Sequence, residues 1–301
     1  MIIRPLVEAD LRSIETLLGE EPDALFAAQY HPMHGPDRDG ELWRRSRVAV
    51  SPDGHVVGAI SVLRNPSHSG RFSVSLEVRP DHRRQGIGTA LIEVARGLRS
   101  EPLPLSAKAH TTDLAAMALL QAVGGRIYQQ CPGRRPDPTS PEIRSWAGIQ
   151  AVPSGVRLDP LNGVTADALA VAWVAQYLWS HEAWSPVTSP DTLAQRLREG
   201  LADLDPATST GAWIGDELVA TSLVLREPDG AVTLVAETIR RDQPDGVRLV
   251  AAALARCMTL LGEAAVTNVL IDGHESDLHL APVLATLPPT PAEPLLLVEI
   301  P

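Results

Sequence analysis

Apolar residues in the first part of the chain either alternate with polar residues or recur every three to four positions. The alternating runs predict strands and the longer periods predict helices. The predicted strands are Ile2–Pro5, 46–50, 55–64, 72–78, 103–109 and 126–131, and the predicted helices are 8–30, 86–99 and 112–123. Strands and helices mixed in this order predict an α/β fold with a partly antiparallel sheet.

The same pattern occurs twice along the chain. DGHVVGAISVLRNP at 53–66 aligns with GDELVATSLVLREP at 215–228 at an offset of 162 positions. LEVRPDHRRQGIG at 76–88 aligns with AETIRRDQPDGVR at 236–248 at an offset of 160 positions. Offsets that agree this closely predict two units of similar plan.

A stretch rich in proline and glycine, residues 131–155, separates the two copies. Such residues interrupt regular structure, although a short strand is predicted near 142–147. We therefore predict a first module at 1–147 and a second module at 156–301, joined by a linker at 148–155.

The composition is that of a globular protein, with 44% apolar and 21% charged residues in a chain of 301. No stretch approaches the roughly 18 apolar residues of a membrane span, and the N-terminus lacks a secretion signal. The two cysteines, Cys131 and Cys257, have neither metal-ligand nor redox-motif spacing. We expect a cytoplasmic protein with no metal and no membrane partner.

The charge is distributed unevenly along the chain. The net charge is −11, with a balance of +1 over residues 1–150 and −12 over residues 151–301. This acidic balance argues against a nucleic-acid partner. The first half is the better suited of the two to a polyanionic ligand.

A glycine-rich turn between the strand FSVSLEV and an apolar helix is the strongest chemical signal. It consists of Arg83, Arg84, Gln85, Gly86, Ile87, Gly88 and Thr89. Glycines let the backbone approach a ligand closely, and the start of a helix offers unpaired N–H groups and a positive dipole end. Arg79 and His82 add further basic groups. The turn is predicted to bind a phosphate or pyrophosphate.

The turn and its flanks resemble the GCN5-related N-acetyltransferase (GNAT) family. The family's acyl-CoA signature, Arg/Gln-x-x-Gly-x-Gly/Ala, stands at Arg83–Gly88, and its upstream Leu-x-Val-x-Pro pattern stands at Leu76–Pro80. The resemblance extends over residues 1–131 in element order. It implies that acetyl-CoA or another acyl-CoA is the co-substrate, that the main chain of Val78 binds the pantetheine arm, and that the amides of residues 83–89 hold the pyrophosphate. It also implies direct attack of an amine on the thioester.

The proton-handling residues depart from the family's pattern. Many relatives carry a tyrosine that protonates the departing thiolate, and Leu120 stands at that position here. Glu77 and His110 are the candidate catalytic residues, because both lie where the family's two central strands separate. Glu77 has the alternative of a surface ion pair with an arginine, and His110 that of a loop residue without a role. The other polar candidates near this point are Ser73, Ser75 and Thr111.

A polar stretch lies where this family usually has its acceptor-binding loop. It contains His31, Met33, His34 and Gly35. These residues either contact the acceptor or form an exposed loop with no specific function.

The second module resembles the same family more faintly. Its equivalent turn runs from Asp242 to Arg248 and carries two additional aspartates, which repel a pyrophosphate. Arg248 replaces the second glycine and is expected to obstruct the close approach of a ligand. We predict a degenerate module that is structural or shapes the acceptor pocket, in a tandem layout similar to mycothiol synthase.

These observations predict two tandem GNAT modules, each a mixed, mostly antiparallel sheet flanked by helices. The expected activity is transfer of an acetyl group from acetyl-CoA to the amine of a small molecule by the first module. A protein or peptide N-acetyltransferase and a non-catalytic acyl-CoA sensor are the alternatives. The expected state is a monomer or homodimer.

Overall fold

A computed structural model of the protein describes residues 1–18, 33–227 and 230–301. The chain divides into two compact units. The first unit contains residues 1–128 and 296–301, and the second contains residues 129–295.

Strands and helices in the first part of the chain begin and end close to the predicted positions. The strands are β1 (Ile2–Pro5), β2 (Arg44–Val50), β3 (Val56–Arg64), β4 (Phe72–Val78), β5 (Leu105–His110) and β6 (Arg126–Cys131). The helices are α1 (Leu11–Leu18), α2 (Ile87–Leu98) and α3 (Leu114–Ala122). The predicted helix 8–30 is described only as far as residue 18. In that part, a 3-10 turn at Glu8–Asp10 leads into α1.

The second part of the chain again alternates strands with helices. Its helices are α4 (Pro141–Gly148), α5 (Ala166–His181), α6 (Pro190–Gly200), α7 (Gly246–Glu263) and α8 (Leu280–Leu284). Its strands are β7 (Val156–Pro160), β8 (Thr210–Ile214), β9 (Glu217–Arg226), β10 (Val232–Thr238), β11 (Val269–Asp272) and β12 (Leu295–Ile300). Within the described ranges, no helix has the length and apolar character needed to cross a membrane.

The strands form two mixed sheets. The order is β1-β2-β3-β4-β5-β12-β6 in the first and β11-β10-β9-β8-β7 in the second. Strands β1 to β4 pair antiparallel, and so do β7 to β10, whereas β4 with β5 and β10 with β11 pair parallel. The prediction of two α/β modules with mixed, mostly antiparallel sheets flanked by helices is therefore confirmed.

Strand β12 completes the sheet of the first unit, although the prediction assigned the whole of residues 156–301 to the second module. Alternate residues of β12, Leu296, Val298 and Ile300, are buried in the first unit's core. Glu299 projects to the other side and accepts a hydrogen bond from Arg71 at 2.8 Å. Period-2 burial of this kind fixes the register of a strand inside a sheet.

Residues 141–148 form a helix rather than the predicted short strand. Ser140 caps this helix by accepting from the Ile143 amide at 3.3 Å, and Pro141 occupies its first turn, where a missing N–H costs nothing. Ile143 and Trp146 are buried in the core of the second unit. The predicted module end at 147 and linker at 148–155 are revised accordingly, because residues 129–148 belong to the second unit.

Candidate active site

Strands β4 and β5 separate soon after they begin. They pair only at Phe72 with Leu105 and at Ser73 with Ser106, and beyond these two pairs the strands diverge. The gap is part of a cleft of about 700 Å³ that is lined by residues 74–78 of β4 and 107–110 of β5. A volume of this size is typical of sites that hold a small organic ligand.

The glycine-rich turn forms the mouth of the same cleft. Arg84 and Gly86 adopt left-handed backbone conformations, with φ angles of 62° and 80°, and α2 begins at Ile87. The first helical bond runs from the Ala90 amide to the Gly86 carbonyl at 3.0 Å. The amides of residues 87–89 precede that bond, so they have no partner within the helix and are available to an anion.

The two glycines of the turn have different structural roles. A Cβ on Gly86 would meet no atom within 4 Å, so the surface of the turn is open at this point. A Cβ on Gly88 would lie 3.0 Å from Leu119 Cδ2, so this glycine allows α2 to approach α3. Gly86 therefore serves the ligand surface and Gly88 serves packing.

The basic groups at the mouth differ in their availability. Asp81 contacts Arg79 Nη2 and His82 Nδ1, both at 2.9 Å. Its hydrogen bonds, first with His82 and then with Arg79, lower the pKa of Asp81 to about 2. Arg84 makes no ion pair within the described part of the chain. It is therefore the cation best able to meet a phosphate.

Glu77, Val78 and Arg83 form a closed set of contacts at the end of β4. Arg83 donates from Nη2 to Glu77 Oε1 and from Nε to the Val78 carbonyl, each at 2.9 Å. The Val78 amide donates to Glu77 Oε1 at 2.9 Å. A pantetheine arm that binds the main chain of Val78 must replace these contacts. The Glu77 side chain lies in an ion pair while lining the cleft.

The structure brings most of the predicted site residues to this one cleft. Those lining it are Glu77, Val78, Arg83, Arg84, Gly86, Ile87, Gly88, Thr89 and His110. Ile87 contributes through its backbone, because its side chain is buried in the core. Leu120, at the family's tyrosine position, is buried and also lines the cleft. Gln85 does not line it, and its amide contacts the Asp81 carbonyl at 3.4 Å.

In the second unit the corresponding gap is filled by side chains. Strands β10 and β11 stay paired from Val232–Val269 to Val235–Asp272. Glu237, the repeat equivalent of Glu77, accepts from the Thr238 amide and contacts His279 Nδ1, both at 2.8 Å. Both side chains of this pair are buried.

His279 also closes the start of α7. A Cβ on Gly246 would collide with the His279 ring, so the ring lies directly against the first residue of the helix. The sequence pointed instead to Arg248, whose side chain is mostly exposed and lies 3.4 Å from Asp245. Asp245 holds the left-handed position before the helix, with a φ angle of 57°, and places a carboxylate there. At Gly246, the repeat equivalent of Gly86, the His279 ring thus occupies the space that is open in the first unit, and Asp245 adds a carboxylate beside it.

Two histidines make buried contacts that the sequence does not reveal. His34, for which the sequence leaves contact with the acceptor or a place in an exposed loop as alternatives, is buried and contacts Ser61 and Ser75. His279 contacts Glu237 from 42 positions away. Neither contact has a local signal, since both partners become neighbours only through the sheet. His31 lies outside the described residues.

Comparisons with known proteins agree with the geometry. Residues 12–124 match the model of the acetyltransferase (GNAT) family. A GCN5-related N-acetyltransferase from Sphaerobacter thermophilus aligns with a TM-score of 0.66 and 19% identity, over 99% of this chain and 94% of that one. A search of curated protein sequences gives no match.

Two further structures share the fold over the whole chain. A tandem GNAT protein from the clavulanic acid biosynthesis pathway aligns with a TM-score of 0.64 and 19% identity, over 99% of this chain and 97% of that one. A GNAT-family acetyltransferase from Colwellia psychrerythraea aligns with a TM-score of 0.58 and 10% identity, over the full length of both. Residues 12–124 are thus similar to the GNAT family of acetyltransferases, and the chain as a whole shares its fold with the tandem GNAT protein.

Proposed function

We propose that this protein transfers an acetyl group from acetyl-CoA to the primary amine of a small molecule, and that the first unit alone binds acetyl-CoA. The observation that carries the proposal is the meeting of an open β4–β5 gap and an anion-binding turn in one cleft. We further propose that the protein is cytoplasmic, a compartment in which free cysteines such as these two are usual. We also propose that it is a monomer or a homodimer.

The turn is suited to the pyrophosphate of acetyl-CoA. The amides of residues 87–89 point out of the start of α2, and Arg84 adds a positive charge beside them. The open space at Gly86 allows phosphate oxygens to approach the backbone. These features together hold the charged end of the ligand at the mouth while the thioester extends into the gap.

The chemistry then needs positioning and removal of one proton. The amine attacks the thioester carbonyl, and the coenzyme A thiolate leaves without an acyl-enzyme. Glu77 and His110 line the cleft and are the candidates for proton transfer that the sequence offers. A thiol has a pKa near 8.5, so its thiolate can leave without being protonated by an acid. Leu120 in place of tyrosine is therefore compatible with turnover.

The activity is tested by incubating the protein with acetyl-CoA and a panel of amines. The panel contains glucosamine, kanamycin, spermidine and a peptide with a free N-terminus, and released thiol is followed by its reaction with a disulfide dye. Turnover of a small amine supports the proposal, and turnover of the peptide alone would assign the runner-up class, a protein or peptide N-acetyltransferase. Absence of both thiol release and acetyl-CoA binding would refute it.

A matched pair of variants tests which unit binds the ligand. Gly86→Arg places a long side chain on the open surface of the first turn, and Arg248→Gly removes one from the second. Calorimetry should give one acetyl-CoA per chain for the native protein and for Arg248→Gly, and none for Gly86→Arg. Two bound molecules per native chain would refute the assignment.

A non-catalytic acyl-CoA sensor is the second candidate, favoured by Leu120 at the tyrosine position. It predicts acetyl-CoA binding with a stoichiometry of one and no thiol release with any amine. The same two measurements therefore distinguish the sensor from the enzyme.

A further inference from the structure

A row of buried hydroxyl groups and one imidazole crosses the sheet of the first unit and ends at the cleft. Ser46 Oγ lies 2.8 Å from Ser61 Oγ, and Ser61 Oγ lies 2.9 Å from His34 Nδ1. His34 Nε2 lies 3.0 Å from Ser75 Oγ. All four residues are buried, and Ser75 lines the gap between β4 and β5.

The strand register places the three serines side by side. Ser46 of β2 is paired with Ser61 of β3, and Ser61 is paired with Ser75 of β4. Directly paired residues project from the same face of a sheet. Ser75 is two residues beyond Ser73, the last β4 residue that pairs with β5, so it stands where the gap opens.

His34 is held over these serines by an arginine. Arg44 donates from Nε to the Pro36 carbonyl at 3.1 Å and from Nη1 to the His34 carbonyl at 3.4 Å. A Cβ on Gly35 would collide with Arg44 Nη2, so a larger residue here would force the Arg44 side chain to move.

The second unit shows that the fold does not need these polar groups. At the repeat offsets, Ser61 and Ser75 correspond to Leu223 and Val235, which are likewise paired with each other. Leu223 packs in an apolar cluster that includes Trp173. Burying hydroxyls and an imidazole is less favourable than burying apolar side chains. Two positions of the polar row, Ser61 and Ser75, are thus apolar in the second unit.

We propose that Ser75 contacts the acceptor amine and that His34 takes the amine's proton through the Ser75 hydroxyl. This inference rests on the proposed acetyl transfer. As the new C–N bond forms and the C–S bond breaks, the N–H proton passes to Ser75 Oγ while the Ser75 hydroxyl proton passes to His34 Nε2. The imidazolium then releases its proton to solvent or to the coenzyme A thiolate, which completes the balance.

The neighbouring groups favour His34 for this task. In the proposed arrangement Ser61 Oγ accepts from His34 Nδ1–H, and His34 Nε2 accepts from the Ser75 hydroxyl. Arg44 is a charged group hydrogen-bonded to the His34 loop, and the charges of Arg38, Asp37 and Glu8 act on it. Glu77, two residues beyond Ser75 on β4, already accepts from Arg83 and from the Val78 amide.

The tautomer is tested directly in the free protein. Long-range proton–nitrogen NMR spectra of the protein labelled with ¹⁵N-histidine report which ring nitrogen carries hydrogen. The His34 signal is assigned by its loss in His34→Gln or by its shift in Ser75→Thr. We expect hydrogen on Nδ1 and none on Nε2 at neutral pH. Hydrogen on Nε2 would overturn the proposal, because that nitrogen then cannot accept from Ser75.

Kinetics test the role with acetyl-CoA and the fastest amine of the panel. His34→Gln and Ser75→Ala should lower kcat about 100-fold or more and lose the acidic limb of the pH–kcat profile, with the KM for acetyl-CoA unchanged. Ser75→Thr keeps the hydroxyl and should keep the limb. His55→Gln alters a histidine whose side chain is 70% exposed and should behave as the native protein.

The outcomes separate this inference from the function on which it rests. A native protein that turns over while His34→Gln retains the acidic limb and kcat within about threefold would overturn the role of His34 alone. A native protein that releases no thiol with any amine would overturn the acetyl transfer and this role with it.

Discussion

Substitution of Gly86 by alanine tests the anion-binding turn with the smallest possible change. The residue has a φ angle of 80° and precedes α2, and its missing Cβ points into open space at the mouth of the cleft. Gly86→Ala therefore adds one methyl group to the ligand surface and introduces backbone strain without creating a clash within the protein.

Two separate costs are expected. A left-handed conformation costs an L-residue about 1–2 kcal/mol, which is partly offset by the lower entropy of the unfolded chain. The net loss in free energy of unfolding should be about 1 kcal/mol. A phosphate oxygen bonded to an amide sits about 2.9 Å from the nitrogen, whereas a methyl carbon needs about 3.5–4.0 Å from its neighbours. The phosphate must move, and weakening one charge-assisted hydrogen bond should raise the Kd for acetyl-CoA about tenfold, or about 1.4 kcal/mol.

The matched control is Gly54→Ala in the β2–β3 turn of the same unit. Gly54 has a φ angle of 89° and also has no atom within 4 Å of its missing Cβ, but it does not line the cleft. Urea denaturation should show similar losses of stability for both variants, and calorimetry should show weaker acetyl-CoA binding for Gly86→Ala alone. Equal Kd values for the two variants would refute the assignment of the turn to the pyrophosphate.

Three further changes address the cation at the mouth, the filled gap and a half-buried histidine. Arg84→Ala should raise the Kd for acetyl-CoA about fivefold at low salt and less at high salt, as calorimetry at two ionic strengths will show. His279→Ala leaves the buried Glu237 without its ring partner, so urea denaturation should show a loss of about 3 kcal/mol while acetyl-CoA stoichiometry stays at one. Burial lowers the pKa of His274, but the hydrogen bond with Asp277 opposes this and the pKa is raised from 6.5 to about 10. Its stabilising contribution is complete below pH 6.5 and is lost as the pH rises to about 10, so the free energy of unfolding of His274→Gln should vary less over that window.

Local patterns were sufficient for most of the elements and for the cofactor turn. Alternation predicted β4 at its observed bounds, and Gly86 before an apolar run marked the start of α2. The strand predicted at 142–147 was wrong even though the helix signals were present, with Ser140 as cap and Pro141 in the first turn. The surrounding prolines favour irregular structure, but the cap and the buried side chains of Ile143 and Trp146 stabilise a helix here.

Long-range contacts could not be predicted in the same way. The apolar run of β12, LLLVEI, indicates a buried strand, but nothing in its residues specifies which sheet it joins. His34 meets Ser75 across 41 positions, so its burial depends on how three strands align. Likewise, the sequence predicts the negative charges of the second turn, but it does not predict that the His279 ring lies against Gly246.

The place of β12 has a consequence for how the protein folds as it is made. The sheet of the first unit receives residues 296–301 between β5 and β6, roughly 170 positions after β6 is synthesised. The first unit cannot complete its sheet until the second has been translated, so the unit translated first finishes last. Such distant pairing slows folding and leaves strand edges exposed in the meantime. The first unit therefore depends on translation of the whole chain, and residues 1–147 expressed alone would lack one strand of their sheet.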